Sequence, residues 1–116
     1  MKFSRVREYA LALADVTEEP HHHLTSFRVR GKIFATAPPE ETHVHVFVSE
    51  MEREPALALY PEFVEKLFWG GKVQGLRIDL ALAKPTVVKR LLGLAWQHKS
   101  APLAAKRAKA PGISPS

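Results

Sequence analysis

Between Leu24 and Val48 short runs of β-branched and aromatic residues are cut by Arg30-Gly31 and by Ala37-Pro38-Pro39-Glu40-Glu41, and helical periodicity appears only on either side of this stretch. This constrains the chain more than any other feature. Glycine accepts the positive φ that a two-residue turn demands, so Thr25 to Thr36 is predicted to be a hairpin turning at Arg30-Gly31. His43 to Val48 supplies a third strand, with Val44, Val46 and Val48 on one face. Upstream, Val6, Tyr9, Ala10 and Leu13 recur at helical spacing, so Ser4 is expected to cap a helix ending near Leu13. Asp15 to Pro20 is expected to break it.

Downstream, Ser49-Glu50-Met51-Glu52 has the form of a capping box opening a second helix, in which Pro55 should force a kink or restart before Tyr60-Pro61 ends it. Phe63 to Phe68 and Lys72 to Leu80 are expected strands joined through Trp69-Gly70-Gly71. Pro85 suits the first turn of a last helix, whose apolar stripe of Val87, Val88, Leu91, Leu92, Ala95 and Trp96 runs to about His98. Residues 100–116 are rich in Ala, Pro and Lys and read as a flexible basic tail. The expected architecture is therefore a two-layer α+β domain over residues 1–99. Three helices would cover one face of a mostly antiparallel five-stranded sheet, leaving the other face open.

A chain of 116 residues suits a single domain, and its apolar and charged fractions are those of a globular protein. It has no cysteine, which excludes disulfides and thiolate chemistry and fits a reducing, cytoplasmic setting. No apolar run is long enough to cross a bilayer, so no membrane role is expected, and a monomer is the simplest state. The net charge of +5 is unevenly spread. Seven glutamates between Glu40 and Glu65 face Arg53 alone, whereas beyond Asp79 there are seven cations and no acid. A cationic field of that kind attracts polyanions.

The histidines His21-His22-His23, His43 and His45 raise the question of a metal. No carboxylate stands at ligand spacing from them, so no metal site and no cofactor is assigned. Nucleophile elbow, zinc-protease helix and phosphate-binding glycine loop are all missing, and no enzymatic activity is expected. Basic residues carry more. If the hairpin strands alternate simply, Arg28, Arg30 and Lys32 share one side, where they would lie along a phosphate backbone or serve only as a charged sheet edge. Lys89, Arg90 and Lys99 on the last helix extend the same footprint. Trp69 and Trp96 sit in apolar runs and are read as core residues before base-stacking platforms.

Glu19-Pro20-His21, the run Ser26-Phe27-Arg28-Val29-Arg30-Gly31-Lys32-Ile33-Phe34-Ala35, Trp69-Gly70 and Ala95-Trp96 together resemble the MmcQ/YjbR family, of the YjbR/CyaY-like superfamily, over about Ser4 to Lys99. The resemblance implies an α-β-β-β-α-β-β-α order and a "double wing" DNA-binding role. It makes Lys32 the family-like polar residue in a framework of Phe27, Ile33 and Phe34, and it brings no catalytic motif. A frataxin-like metal role within the superfamily would need an acidic first helix, and here that helix carries Arg5 and Arg7 with a single Glu8. The sequence thus points to DNA contacted at its phosphates by Arg28, Arg30, Lys32, Lys89, Arg90 and Lys99. The alternative is a non-enzymatic module for a protein or small-ligand partner.

Overall fold

A computed structural model describes the backbone of residues 1–109 and side chains as far as Ser100. The elements are α1 (Phe3–Leu11), β1 (Val16–His21), β2 (Leu24–Val29), β3 (Lys32–Ala37), β4 (His43–Val46), α2 (Glu50–Leu59), β5 (Val64–Trp69), β6 (Lys72–Asp79) and α3 (Pro85–Lys109). The strands form one antiparallel sheet in the order β1-β2-β3-β4-β6-β5. The α+β class and the three helices are as expected from sequence.

The sheet has six strands, not five. The additional one, β1, occupies most of the segment read as a break. Its residues Val-Thr-Glu-Glu-Pro-His offer no buried alternation, because an edge strand is held by its ladder to β2 and not by packing. Pro20 is tolerated there, as prolines are on edges. The Arg7 guanidinium on α1 clamps the strand from outside, donating from Nε and Nη2 to the two carboxylate oxygens of Glu18 at 2.9 and 3.0 Å.

Helix ends also differ from expectation. Lys2, not Ser4, is the N-cap of α1, and Ser49 caps α2 without a side-chain hydrogen bond, so the expected capping box does not close. Pro55 lies inside α2, which runs on to Leu59. The expected 99/100 boundary falls within α3, whose backbone is helical to Lys109. Of the expected tail, side chains beyond Ser100 and all of residues 110–116 lie outside the described residues. Among the described residues no helix is long and apolar enough to cross a membrane.

The core lies between the sheet and the helices. Residues directly opposite on neighbouring strands share a face. The row Phe27–Ala35–Val46–Leu76 and its neighbours Val44 and Ile78 therefore form one buried surface. Phe3, Val6 and Ala10 of α1 and Val88, Leu91, Leu92 and Ala95 of α3 close over it. Phe27 and Phe34 are completely buried, each contributing about 1.5–3 kcal/mol of apolar burial. The opposite face carries Glu19, Ser26, Thr36, His45, Arg77 and Glu65 in register and is polar.

The cleft between two hairpins

Arg30 and Gly31, with φ of 51° and 84°, join β2 to β3, and Gly70 and Gly71, at 60° and 82°, join β5 to β6. Positive φ at both central residues is the hairpin turn whose twist matches its strands. β3 and β6 are each antiparallel to β4, so they run the same way, and both turns emerge at the same end of the sheet. Ala35, Val46 and Leu76 stand in one row. Lys32 and Lys72 lie three and four residues back from that row, one at the base of each tip. Two strand spacings separate them, roughly 10 Å before twist is counted.

Between the tips β4 stops at Val46, and the chain turns off through Phe47, whose N–H donates to the Phe34 carbonyl at 3.0 Å. Beside this exit lies a cleft of about 280 Å³ lined by Ile33 and Thr36 of β3, Phe47, Trp69, Gln74 and Lys99, with His21 of β1 also contributing. The Phe47 and Trp69 rings are 5.7 Å apart and tilted by 51°. The Lys99 ammonium sits 5.8 Å from the Phe47 ring centre, a cation–π distance. Trp69 is 43% exposed and its neighbour Phe68 63%. Trp69 is thus no core residue, contrary to expectation. Trp96 is half-buried against the core, and its Nε1 donates to the Ala14 carbonyl at 2.9 Å.

The six cations singled out in the sequence do not form one surface. A two-residue turn at 30–31 sets Val29 opposite Lys32 and Arg28 opposite Ile33. Lys32 therefore lies on the Val29 side, and the simple alternation fails because parity reverses across an even turn. Arg28 is half-buried on the open face. It donates from Nε to Ser26 Oγ at 3.0 Å and from Nη2 to the Pro20 carbonyl at 3.4 Å, with Glu19 3.9 Å away. Arg30 is held by Asp15 at 3.1 Å. Lys89 and Arg90 are exposed on the outside of α3, with the Lys89 ammonium over the Tyr9 ring at 5.6 Å. They stand nine or ten residues from Lys99, or roughly 15 Å of helix. Lys32, Lys72 and Lys99 have no ion-pair partner among the described residues. Among the described residues, Lys32 and Lys99 from the sequence set and the overlooked Lys72 are the cations free at the tip end. Lys72 was legible as the residue following Gly70-Gly71, but its importance depends on which end of the sheet that turn occupies. Glu50 and Glu52 begin α2 at this end too, so acids bound the basic surface on the helix side.

The histidines separate into two roles. His22 and His23 are the turn between β1 and β2, with His22 at φ 58°, so the triplet is not an extended run with His21 and His23 on one face. Among the described residues no three His, Cys, Asp or Glu side chains are grouped to hold a metal. His45 Nδ1 lies 3.0 Å from the hydroxyl of the fully buried Thr36 on the open face. Burial first, then Arg77 and His43, lower its pKa to about 4. His98 is lowered as well, by burial and by the positive charges of Lys99 and Arg53.

Both shifts favour the neutral ring in the folded state. Above the ordinary histidine value of 6.5 neither folded nor unfolded chain is protonated, and stability is unaffected. As pH falls from there towards about 4 the unfolded chain takes up protons that folded His45 refuses, so stability declines. For a ring with partial solvent access the loss is of order 1–2 kcal/mol. Thermal melts should show His45→Asn losing less stability than the parent between pH 7 and 5, and parallel pH profiles would refute this assignment.

No curated protein gives a significant match to the chain. A family model described as YjbR matches residues 11–98, which takes in both hairpins, α3 down to His98 and the cleft lining apart from Lys99, and the chain belongs to the YjbR family.

Proposed function

We propose that this protein is a DNA-binding module without catalytic function. It would hold phosphates, largely independently of sequence, at the end of the sheet where both hairpin tips emerge. The observation that carries this reading is the convergence of Lys32, Lys72 and Lys99 on that end, each free of an ion pair among the described residues. A lysine already neutralised by a carboxylate gains little from a phosphate, whereas a free one releases the counterions condensed on the nucleic acid. Arg28 and Arg30 would have to leave Glu19 and Asp15 to take part, and Lys89 and Arg90 stand on another surface. The reading therefore narrows the six-cation footprint to its tip-end members.

Fluorescence anisotropy of a labelled random DNA with the full chain tests it. Affinity is expected to fall steeply with salt, as backbone contacts require. No binding at low salt, or affinity indifferent to salt, would sink it. A second reading rests on the cleft itself, whose mixed aromatic and polar lining suits a small organic ligand without nucleic acid.

A further inference from the structure

The cleft between the hairpins is not needed for phosphate contacts made at the tips. We infer that it receives a single unpaired nucleobase, so that the protein prefers single-stranded or locally opened nucleic acid over intact duplex. This inference rests on the phosphate-binding reading above and adds to it what the strand presents between the tips.

The dimensions favour one base. A cleft of about 280 Å³ is at the small end for organic-ligand sites. It lies beside β3 and β6, two strand spacings or roughly 10 Å apart. A duplex cannot enter, since its major groove alone is about 12 Å wide. The lining has the chemistry for a base. Trp69 is exposed enough to offer a ring face, whereas Phe47 has the Lys99 ammonium over its ring and Trp69 against its flank. Stacking on Trp69 suits any base, because every base has a π face. The Gln74 amide brings a donor and an acceptor to the lining, the pair needed to meet a hydrogen-bonding edge. The Thr36 hydroxyl is already engaged with His45 and is part of the floor.

Charge places the rest of the nucleotide. Lys99 lies in the cleft, and Lys32 and Lys72 stand at the bases of the two tips, so a base held on Trp69 has cations for its own phosphate and for those flanking it. Aromatic rings interleaved with free lysines are the arrangement used by proteins that bind single strands.

The test compares three probes of equal length on the full chain at low salt: an oligothymidylate, a strand of abasic deoxyribose phosphates, and a blunt duplex. The oligothymidylate is expected to bind roughly tenfold more tightly than the abasic strand and to quench tryptophan fluorescence. Trp69→Ala should reduce its affinity to the abasic level, leaving abasic binding unchanged. Trp69 is partly exposed on an edge strand, and a thermal melt checks that the variant folds. Gln74→Ala, at an exposed position, gives an independent loss of base-dependent affinity. Equal affinity for base-bearing and abasic strands would overturn the base site while leaving the phosphate reading intact. Failure of all three probes to bind would overturn both. Quenching of Trp69 by thymidine monophosphate, with no gain for the strand over its abasic counterpart, would reassign the cleft to free nucleotides and overturn the inference as stated.

Discussion

Gly75→Ala is expected to lower stability by about 3 kcal/mol or more, enough to shift the melting temperature of a domain this size by roughly 10–20 °C. A Cβ at Gly75 would stand 2.3 Å from the Val46 carbonyl oxygen and 3.1 Å from the Phe47 Cα. Both are backbone atoms, so no side chain can rotate away to relieve the contact. This is the point where β4 leaves the sheet, crossing closely over β6 on its way to Phe47. Relief would require β4 to draw back from β6, and the buried pairs Val46–Leu76 and Val44–Ile78 would loosen with it. Gly93→Ala supplies the control. Gly93 is inside α3 with nothing within 4 Å of a new Cβ. There the exchange removes the flexibility of glycine from a helix interior and should stabilise by about 0.5–1 kcal/mol. Melts of the two variants beside the parent should move in opposite directions. An unchanged midpoint for Gly75→Ala would mean that the β4 exit is not tightly set, and the cleft would lose its fixed wall.

Lys32→Gln, Lys72→Gln and Lys99→Gln combined are expected to give the largest loss of function, weakening DNA binding by one to two orders of magnitude at moderate salt. Each backbone contact adds about 0.9 to the slope of log affinity against log salt on duplex DNA, or about 0.7 on a single strand. Removing three contacts should therefore flatten that slope by about 2–3. The comparison uses full chains that differ only at the three lysines, so cations beyond Ser100 contribute equally to both. Lys89→Gln with Arg90→Gln removes charge from the outside of α3 and should leave the slope nearly unchanged. If that pair flattened the slope as much as the triple variant does, binding would belong to the helix face and the hairpin-tip proposal would fail. Lys32, Lys72, Lys89 and Arg90 are exposed, where substitutions cost little stability, and a thermal melt of the triple variant checks the half-buried Lys99 position.

Local chemistry made much of this protein readable from its sequence. Arg30-Gly31 and Gly70-Gly71 mark their hairpins because positive φ at both turn positions is a local demand that few residues meet. Val87, Val88, Leu91, Leu92 and Ala95 show their burial by spacing alone, since helical periodicity is set by the chain itself. The framework of Phe27, Ile33 and Phe34 around the first turn was legible only through the resemblance to the family. β1 was not, because an edge strand is held by backbone hydrogen bonds to its neighbour and needs no apolar alternation. Nor was the face occupied by Lys32, which depends on which residues stand opposite across the turn. Only the strand order brings Lys72, some forty residues from Lys32 in the chain, to the same end of the sheet. Trp69 looks like a core residue in its run, yet it is left partly open because β5 is an edge and β4 ends early. The sequence determined the helices, the two turns and the surplus of cations, which are properties of short segments. The tertiary structure decided which cations stand together without carboxylates and that a cleft opens between the hairpins. Those depend on strand order and strand length, and both are settled by packing between residues far apart in the chain.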